Sequence, residues 1–511
     1  MKKSLQTVFG RLLYTAVFVT LQVAVVVVMF LFFQDKFAYF YAVCILVSLV
    51  ATVEIVNNNS NPAYKIAWVI PILLFPIFGG LAYLMFGKYP MTKKQKDAGA
   101  VMQQRCREGI ACRPGCLAEL AQQSPEAALH ARYIDRAAGV PPYTHTETDY
   151  FPIGEEMFAA MLRELESAKS FIFMEYFIVE RGEMWDSILE ILERKAKAGV
   201  EVRVMYDDLG CLFTLPRKYY KTLRQKGIQA CVFNPFNTIL SPRFNNRDHR
   251  KICVIDGNVG FTGGINLADE YINRFEKHGH WKDGGILLRG QAVWALTVFF
   301  LSLWDFSNRL DEDYSPFAPD PAVVDKLPEN GFVQPYTDIP LDDEQVGENV
   351  YLNLIGRAQR YLYITTPYLI VDNETVTALC NAAKSGVDIR IITPHIPDKK
   401  MVFYLTRSYY RVLLQAGVRI YEYTPGFIHS KTFVSDDQYG VVGTINLDYR
   451  SLYLHCECAA WLYNCSAVGQ VRDDFLSTLE QSEEITLEHL PKLPWYRRWT
   501  LGILKAFAPL A

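Results

Sequence analysis

Two short runs in this 511-residue chain hold the residue types that phosphoryl chemistry needs. His249-Arg250-Lys251 is followed, past four residues, by Asp256 and, past six more, by Gly263-Gly264-Ile265-Asn266. His429-Ser430-Lys431, Asp436 and Gly443-Thr444-Ile445-Asn446 repeat this, offset by 180 at every position. On a strand, residues i and i+2 point to one face, so each His and Lys lie side by side. Cys253 and Phe433 continue that face, and Ile252, Val254, Thr432 and Val434 pack the other. Asp256-Gly257 is a hairpin dipeptide, so the chain returns antiparallel and brings its Gly and Asn back towards the histidine. One copy thus gathers an imidazole, an ammonium and an amide around one point, a set suited to phosphate. A single copy would carry little weight; two in register do.

The elements that carry these runs are also duplicated. The apolar strand Phe171–Phe177 parallels Leu362–Tyr368, and each precedes an amphipathic helix, near Trp185–Ala198 and Glu374–Ser385. Each helix runs into a glycine that opens a strand, Gly199 and Gly386, offset by 187. Gly227–Pro235 matches Gly417–Pro425 with an offset of 190. Alternating strands and helices at near-constant offsets predict two α/β lobes, 146–325 and 326–485, each with a mixed, mostly parallel sheet flanked by helices.

The doubled H-x-K-x4-D-x6-G-x-x-N signature resembles that of the phospholipase D superfamily, over roughly residues 150–485. The resemblance implies two pseudo-symmetric lobes whose histidines meet at one phosphodiester, without metal or cofactor. One histidine attacks phosphorus to give a phosphohistidine, while the other protonates the leaving alkoxide and then activates the incoming hydroxyl. It points to His249 as nucleophile and His429 as acid and base, which the repeat alone does not separate. Lys251, Lys431, Asn266 and Asn446, with Gly264 and Thr444, would form the phosphate pocket. Such enzymes place a carboxylate some 25–35 residues after each histidine to orient its ring, and Asp283 and Glu457 fit. Asp256 and Asp436 belong to the catalytic signature, although their turn positions suit structural support equally.

Within that superfamily, three features resemble bacterial cardiolipin synthases. They are Asn446-Leu447-Asp448-Tyr449-Arg450-Ser451, the segment Gly263–Tyr271 with Trp281-Lys282-Asp283, and Asn61–Trp68 ahead of a Pro/Gly-rich apolar run. Lys282 departs from the arginine usual there. The implied reaction joins two phosphatidylglycerols into cardiolipin and glycerol with no nucleotide. A phospholipase D hydrolase, or another phosphatidyltransferase of the superfamily, is the alternative.

Composition narrows the field. Net charge is -3, from 52 basic and 55 acidic residues, which gives no global footprint for nucleic acid. The eleven cysteines form no disulfide framework; they suit reduced thiols in a cytosolic catalytic part. Cys106, Cys112 and Cys116 find no partners to complete a metal site.

Hydrophobicity is concentrated before residue 87, in apolar segments 12–33, 38–56 and 66–86, which predict a multi-pass membrane anchor. Basic residues flank both ends, Lys2, Lys3 and Arg11 before and Lys88, Lys93, Lys94 and Lys96 after. Three crossings would put these clusters on opposite faces, so one segment fails to cross or one end disobeys the positive-inside rule. Residues 88–145 are polar and read as a linker region. The tail, 486–511, with Trp495, Tyr496, Arg497, Arg498 and Trp499, suits a membrane interface or a docked terminal helix equally. Arg243, Arg247 and Arg250 are placed either to meet anionic head groups or on a solvated loop.

Overall fold

Apolar alternation and the turn dipeptides fold as expected in the computed structural model. It describes residues 31–58, 60–75, 79–80, 93–111, 115–235, 246–328, 331–340, 344–491 and 494–510, with a few isolated positions near the N-terminus. The first half supplies β1 (Thr146–Phe151), β2 (Phe171–Tyr176), β3 (Glu201–Asp207), β4 (Gln229–Phe233), β5 (Arg247–Asp248), β6 (Lys251–Ile255), β7 (Val259–Gly263), β8 (His280–Lys282) and β9 (Gly285–Gly290). Seven of these form a sheet in the order β1-β9-β7-β6-β2-β3-β4.

The second half supplies β10 (Phe332–Asp338), β11 (Tyr361–Thr365), β12 (Leu369–Ile370), β13 (Asp388–Pro394), β14 (Arg419–Tyr423), β15 (Gly426–Ile428), β16 (Thr432–Ser435), β17 (Tyr439–Gly443), β18 (Leu447–Asp448), β19 (His455–Tyr463) and β20 (Ser482–Ile485). Its sheet runs β10-β19-β17-β16-β11-β13-β14-β20. The central orders β9-β7-β6-β2-β3-β4 and β19-β17-β16-β11-β13-β14 are equivalent, so the duplication is structural.

Both sheets are mixed, but the expected parallel majority is not found. Within the two large sheets, apart from the two-residue β5 beside β19, only β2–β3–β4 and β11–β13–β14 pair in parallel. The signature hairpins, β6–β7 and β16–β17, return antiparallel and recruit further antiparallel neighbours. The helix stops behave as read: Gly199 and Gly386 have φ of 92° and 98°, a region where a Cβ is disfavoured.

One hydrophobic core lies between the sheets, with Phe173, Ile252 and Val254 from the first and Tyr363, Val434 and Val442 from the second. The helix Val293–Asn308 belongs to this core, and every residue from Val293 to Asp305 is buried. It is apolar on all sides because no face meets water. Truncating Phe300 there would cost about 3–5 kcal/mol. Outer cores lie beneath the helices Gly154–Ser167 and Glu183–Lys197 on one sheet, and beneath Val346–Arg357, Asn373–Lys384 and Lys400–Ala416 on the other.

Residues 88–145 are not a linker. The helix Lys93–Ala111 packs Met102, Cys106 and Ile110 into the shared core, and Pro125–Ala138 packs Ala127, Ala131 and Ile134 into the second outer one. The buried positions of Pro125–Ala138 are mostly small alanines, and in Lys93–Ala111 the buried apolar side chains recur only every fourth residue among polar neighbours, so the period is weak in the sequence. Ten cysteines are described and all are free thiols; Cys112 lies outside the described residues.

A separate unit comprises Met1–Thr92, Asn237–Phe244 and Pro494–Ala511. The apolar segment 12–33 lies mostly outside the described residues. The helix Gln34–Asn57 contains Lys36–Asn57, long and apolar enough to cross a membrane. The described part of the segment 66–86 is not one continuous helix. Its helix, Pro62–Leu74, ends before Gly79, whose amide bonds back to Phe75 and whose Cα lies against Pro71 and Ile72. Tyr83 then packs edge-on to Trp68, 5.5 Å between centroids.

Candidate active site

His249 sits between β5 and β6, and His429 between β15 and β16. The short strand before each histidine pairs with the opposite half. β5 runs parallel to the start of β19, and β15 parallel to β8. The His249 amide donates to the Cys456 carbonyl at 2.9 Å, and the His429 amide to the Lys282 carbonyl at 2.7 Å. Each pairing leaves the histidine beside the next residue of the other half, Glu457 or Asp283.

Nδ1 of His249 lies 2.9 and 3.0 Å from the Glu457 carboxylate oxygens, and Nδ1 of His429 lies 2.6 Å from Asp283 Oδ2. The carboxylates were expected to serve the histidine of their own half. They are exchanged, because the short strands cross between halves before the rings are reached. An Nδ1 held in this way leaves Nε2 as the working nitrogen. Rings border both imidazoles: Phe177 at 5.0 Å and His455 at 5.5 Å from His249, and Trp281 at 5.5 Å and Phe427 at 5.7 Å from His429.

Lys251 and Lys431 are buried, and each ammonium donates to the carbonyl of its own histidine. Asn266 donates to the Tyr271 hydroxyl at 2.7 Å and accepts from the Ile178 amide at 3.0 Å. Asn446 donates to Ser451 at 3.0 Å. Tyr271 and Ser451 close the two family-like segments read in the sequence and sit at the same 180 offset, five residues after each asparagine, but their bonds to those asparagines were not foreseen.

Gly264 and Thr444 both stand behind the orienting carboxylates. A Cβ on Gly264 would overlap the carboxylate of Asp283. The Thr444 hydroxyl donates to Glu457 Oε2. Asp256 and Asp436 stand at the far ends of the signature strands, with φ of 51° and 57°. The Asp256 carboxylate accepts from the amides of Lys169, Ser170 and Phe171, and that of Asp436 from Gln359, Arg360 and Tyr361. Their role in the signature is to tie the turn to the neighbouring strand.

Two of the arginines turn inward. Arg250 is buried, with Nε 2.6 Å from Glu175 Oε1, and Arg247 lies 3.6 Å from buried Asp207. Residue 250 falls between His249 and Lys251, so strand alternation sends it to the opposite face, away from any lipid. Arg243 lies outside the described residues.

Burial governs the electrostatics. It pushes the His249 imidazole down to about 3, against the pull of Glu457, and lowers His429 as well, with Lys431 and Lys251 adding to the effect. It also pushes Lys251 down to about 7 and Lys431 to about 8. Burial raises the Asp283 carboxyl to about 7 despite both lysines. Glu457 goes the other way: the penalty of burial is outweighed by His249 and His455, which hold it below the usual carboxylate range. The crossed pairs therefore rest differently near pH 7. Glu457 is held ionised against a neutral His249, whereas burial favours the protonated form of Asp283 beside His429. Among the described residues, His249, His455 and Glu457 bring three ligand-type atoms within 4.8 Å. A cation there would have to break the His249–Glu457 hydrogen bond.

Comparison with known proteins agrees with this geometry. The family described as "Cardiolipin synthase, PLD-like domain" matches residues 161–276 and 351–479, and "Phospholipase_D-nuclease N-terminal" matches 46–88. Cardiolipin synthase 2 of Bacillus cereus is 35% identical, over 89% of this chain and 88% of its own length. A cardiolipin synthase of Geobacillus kaustophilus is 35% identical, over 94% and 95%. The crystal structure of a phosphatidylserine synthase from Haemophilus influenzae shares the fold, with a TM-score of 0.56 at 18% identity, covering 75% of this chain and 98% of that one. With duplicated sheets, two interlocked half-sites and relatives alike over nearly their whole length, the chain belongs to the cardiolipin synthase family of phospholipase D-type phosphatidyltransferases.

Proposed function

We propose that this phosphatidyltransferase joins two phosphatidylglycerols into cardiolipin and glycerol through a phosphohistidine on His249. Nε2 of neutral His249 attacks phosphorus, and the positive charge that develops on its ring is met by ionised Glu457. The bond from phosphorus to the headgroup glycerol breaks, and the proton held by the Asp283–His429 pair passes from His429 Nε2 to the departing alkoxide. A second phosphatidylglycerol then brings its headgroup hydroxyl; His429 takes that proton, and the oxygen displaces His249 from phosphorus. Lys251 and Lys431 hold the nonbridging oxygens while charge builds. One phosphodiester is exchanged for another, so the reaction needs no nucleotide.

The observation that carries this reading is the crossed pairing, with His249 Nδ1 2.9 Å from Glu457 and His429 Nδ1 2.6 Å from Asp283, which leaves two oriented imidazoles with free Nε2 atoms. The full-length enzyme, supplied with phosphatidylglycerol vesicles, should produce cardiolipin and glycerol in equal amounts by mass spectrometry. Phosphatidic acid as the main product would make the protein a hydrolase, and DNA degradation without lipid turnover would make it a nuclease.

The protein is membrane-associated, and substrates and product all remain in that bilayer, so an anchor raises their effective concentration at the site. Segments 12–33 and 38–56 are assigned as crossings and 66–86 as a fold-back. Two crossings place Lys2, Lys3 and Arg11 on the same side as Lys93, Lys94 and Lys96, the cytoplasmic side by the positive-inside rule. Impermeant labelling of cysteines introduced at positions 3 and 94 should find both protected in sealed right-side-out vesicles and both reactive in inverted ones. Opposite protection would exclude the two-crossing arrangement.

A further inference from the structure

The helix Trp495–Phe507 has two apolar faces where one would satisfy the fold. It packs against the helix Pro62–Leu74, with Leu501, Leu504 and Phe507 half-buried and Ala508 just beyond it buried. The other face bears Trp495, Trp499 and Ile503, spaced i, i+4 and i+8, with exposures of 74%, 71% and 56%. Those residues line one shallow groove with Arg498, Gly502 and Ala506. A helix docked in water presents polar groups on its free side. This one presents indoles.

We infer that the exposed face of Trp495–Phe507 lies in the headgroup–acyl boundary of an anionic bilayer and anchors the C-terminus there. Three observations select that occupant. The helix shares a unit with Lys36–Asn57, the stretch able to cross a membrane, and packs on the adjoining helix, so its own unit holds it near lipid. Trp and Tyr favour the interface, where the ring is apolar and its N–H or O–H stays wet; Trp495, Tyr496 and Trp499 are all exposed. Exposed Arg497 and Arg498 lie between the tryptophans, where guanidinium groups meet lipid phosphates. A second protein copy would also accept aromatics and arginine, but it would leave the tether to the span without a role.

Brominated lipids test this in the full-length protein, because acyl-chain bromine quenches only rings that enter the bilayer. Wild type and the Trp495→Phe/Trp499→Phe variant are compared in phosphatidylglycerol nanodiscs; phenylalanine keeps the helix apolar and folded. These are 2 of the 8 tryptophans and the other six are buried in protein, so the variant should lose up to about a quarter of the total emission and most of its lipid-quenchable part. Aqueous acrylamide should quench the missing component little. If acrylamide reaches both rings and bromine does not, the face is solvated and the inference fails. Protection from both quenchers would put protein on the face and also overturn it. None of these readings depends on catalysis.

Discussion

His249 and Glu457 are 208 residues apart in the chain, and their side chains meet at 2.9 Å. Asp283 and His429 meet at 2.6 Å across 146 residues in the reciprocal sense. Neither half can orient its own histidine, so the site exists only when both halves are folded against each other.

Glu457→Gln should leave the fold intact and lower kcat by about 10²–10⁴-fold, with a much smaller change in KM, because the ring loses its tautomer and its counter-charge. Initial rates of cardiolipin formation measure this. Since the two residues act as a unit, adding Glu457→Gln to His249→Ala should cost almost nothing more. An additive double variant would separate them.

Gly264→Ala and Thr444→Val test the residues behind the carboxylates. A methyl group on Gly264 competes for the space of the Asp283 carboxylate, and losses of about 10²-fold in kcat are expected from a displaced orienting group. Thr444→Val removes one hydrogen bond to Glu457 and should cost about tenfold. Unaltered thermal melting would place both effects in the site and not in the fold.

Alkaline pH should weaken substrate capture. Lys251 and Lys431 have folded values lowered to about 7 and about 8, and only their ammonium forms attract a phosphodiester. The charged forms exist below those values and vanish above them. kcat/KM should therefore fall as pH rises through 7 to 8, while kcat falls less because bound phosphate holds the protons on. A pH profile of both constants checks the sign; kcat/KM rising across that window would refute it.

Asp256→Ala and Asp436→Ala should damage stability, not chemistry. Each removes a carboxylate that accepts three backbone amides, a loss of about 1–3 kcal/mol, and leaves a non-glycine residue at positive φ. Melting temperature should drop while the rate per folded molecule stays near wild type. Asp256→Asn should recover part of the loss, because asparagine tolerates the same turn.

The parts legible in the sequence were those with a period or an offset. The 180 offset located His249, Lys251, Asn266 and their counterparts, and Asp256-Gly257 announced the hairpins. The exchange of Asp283 and Glu457 was not legible, because it depends on β5 and β8, strands of two and three residues, too short for alternation to register. Arg250 was misplaced by reading charge before strand parity. The helix Lys93–Ala111 was missed because, among its described side chains, Met102, Cys106 and Ile110 recur only every fourth residue between polar neighbours.

The most direct test of two histidines acting on one phosphorus is to find where the phosphatidyl group pauses. Rapid quenching in neutral denaturant during turnover of short-chain phosphatidylglycerol, followed by peptide mass spectrometry, reads that position. A phosphatidyl adduct on the His249 peptide and none on the His429 peptide is the predicted result. An adduct on His429 instead, or cardiolipin formed with neither histidine ever modified, would contradict it.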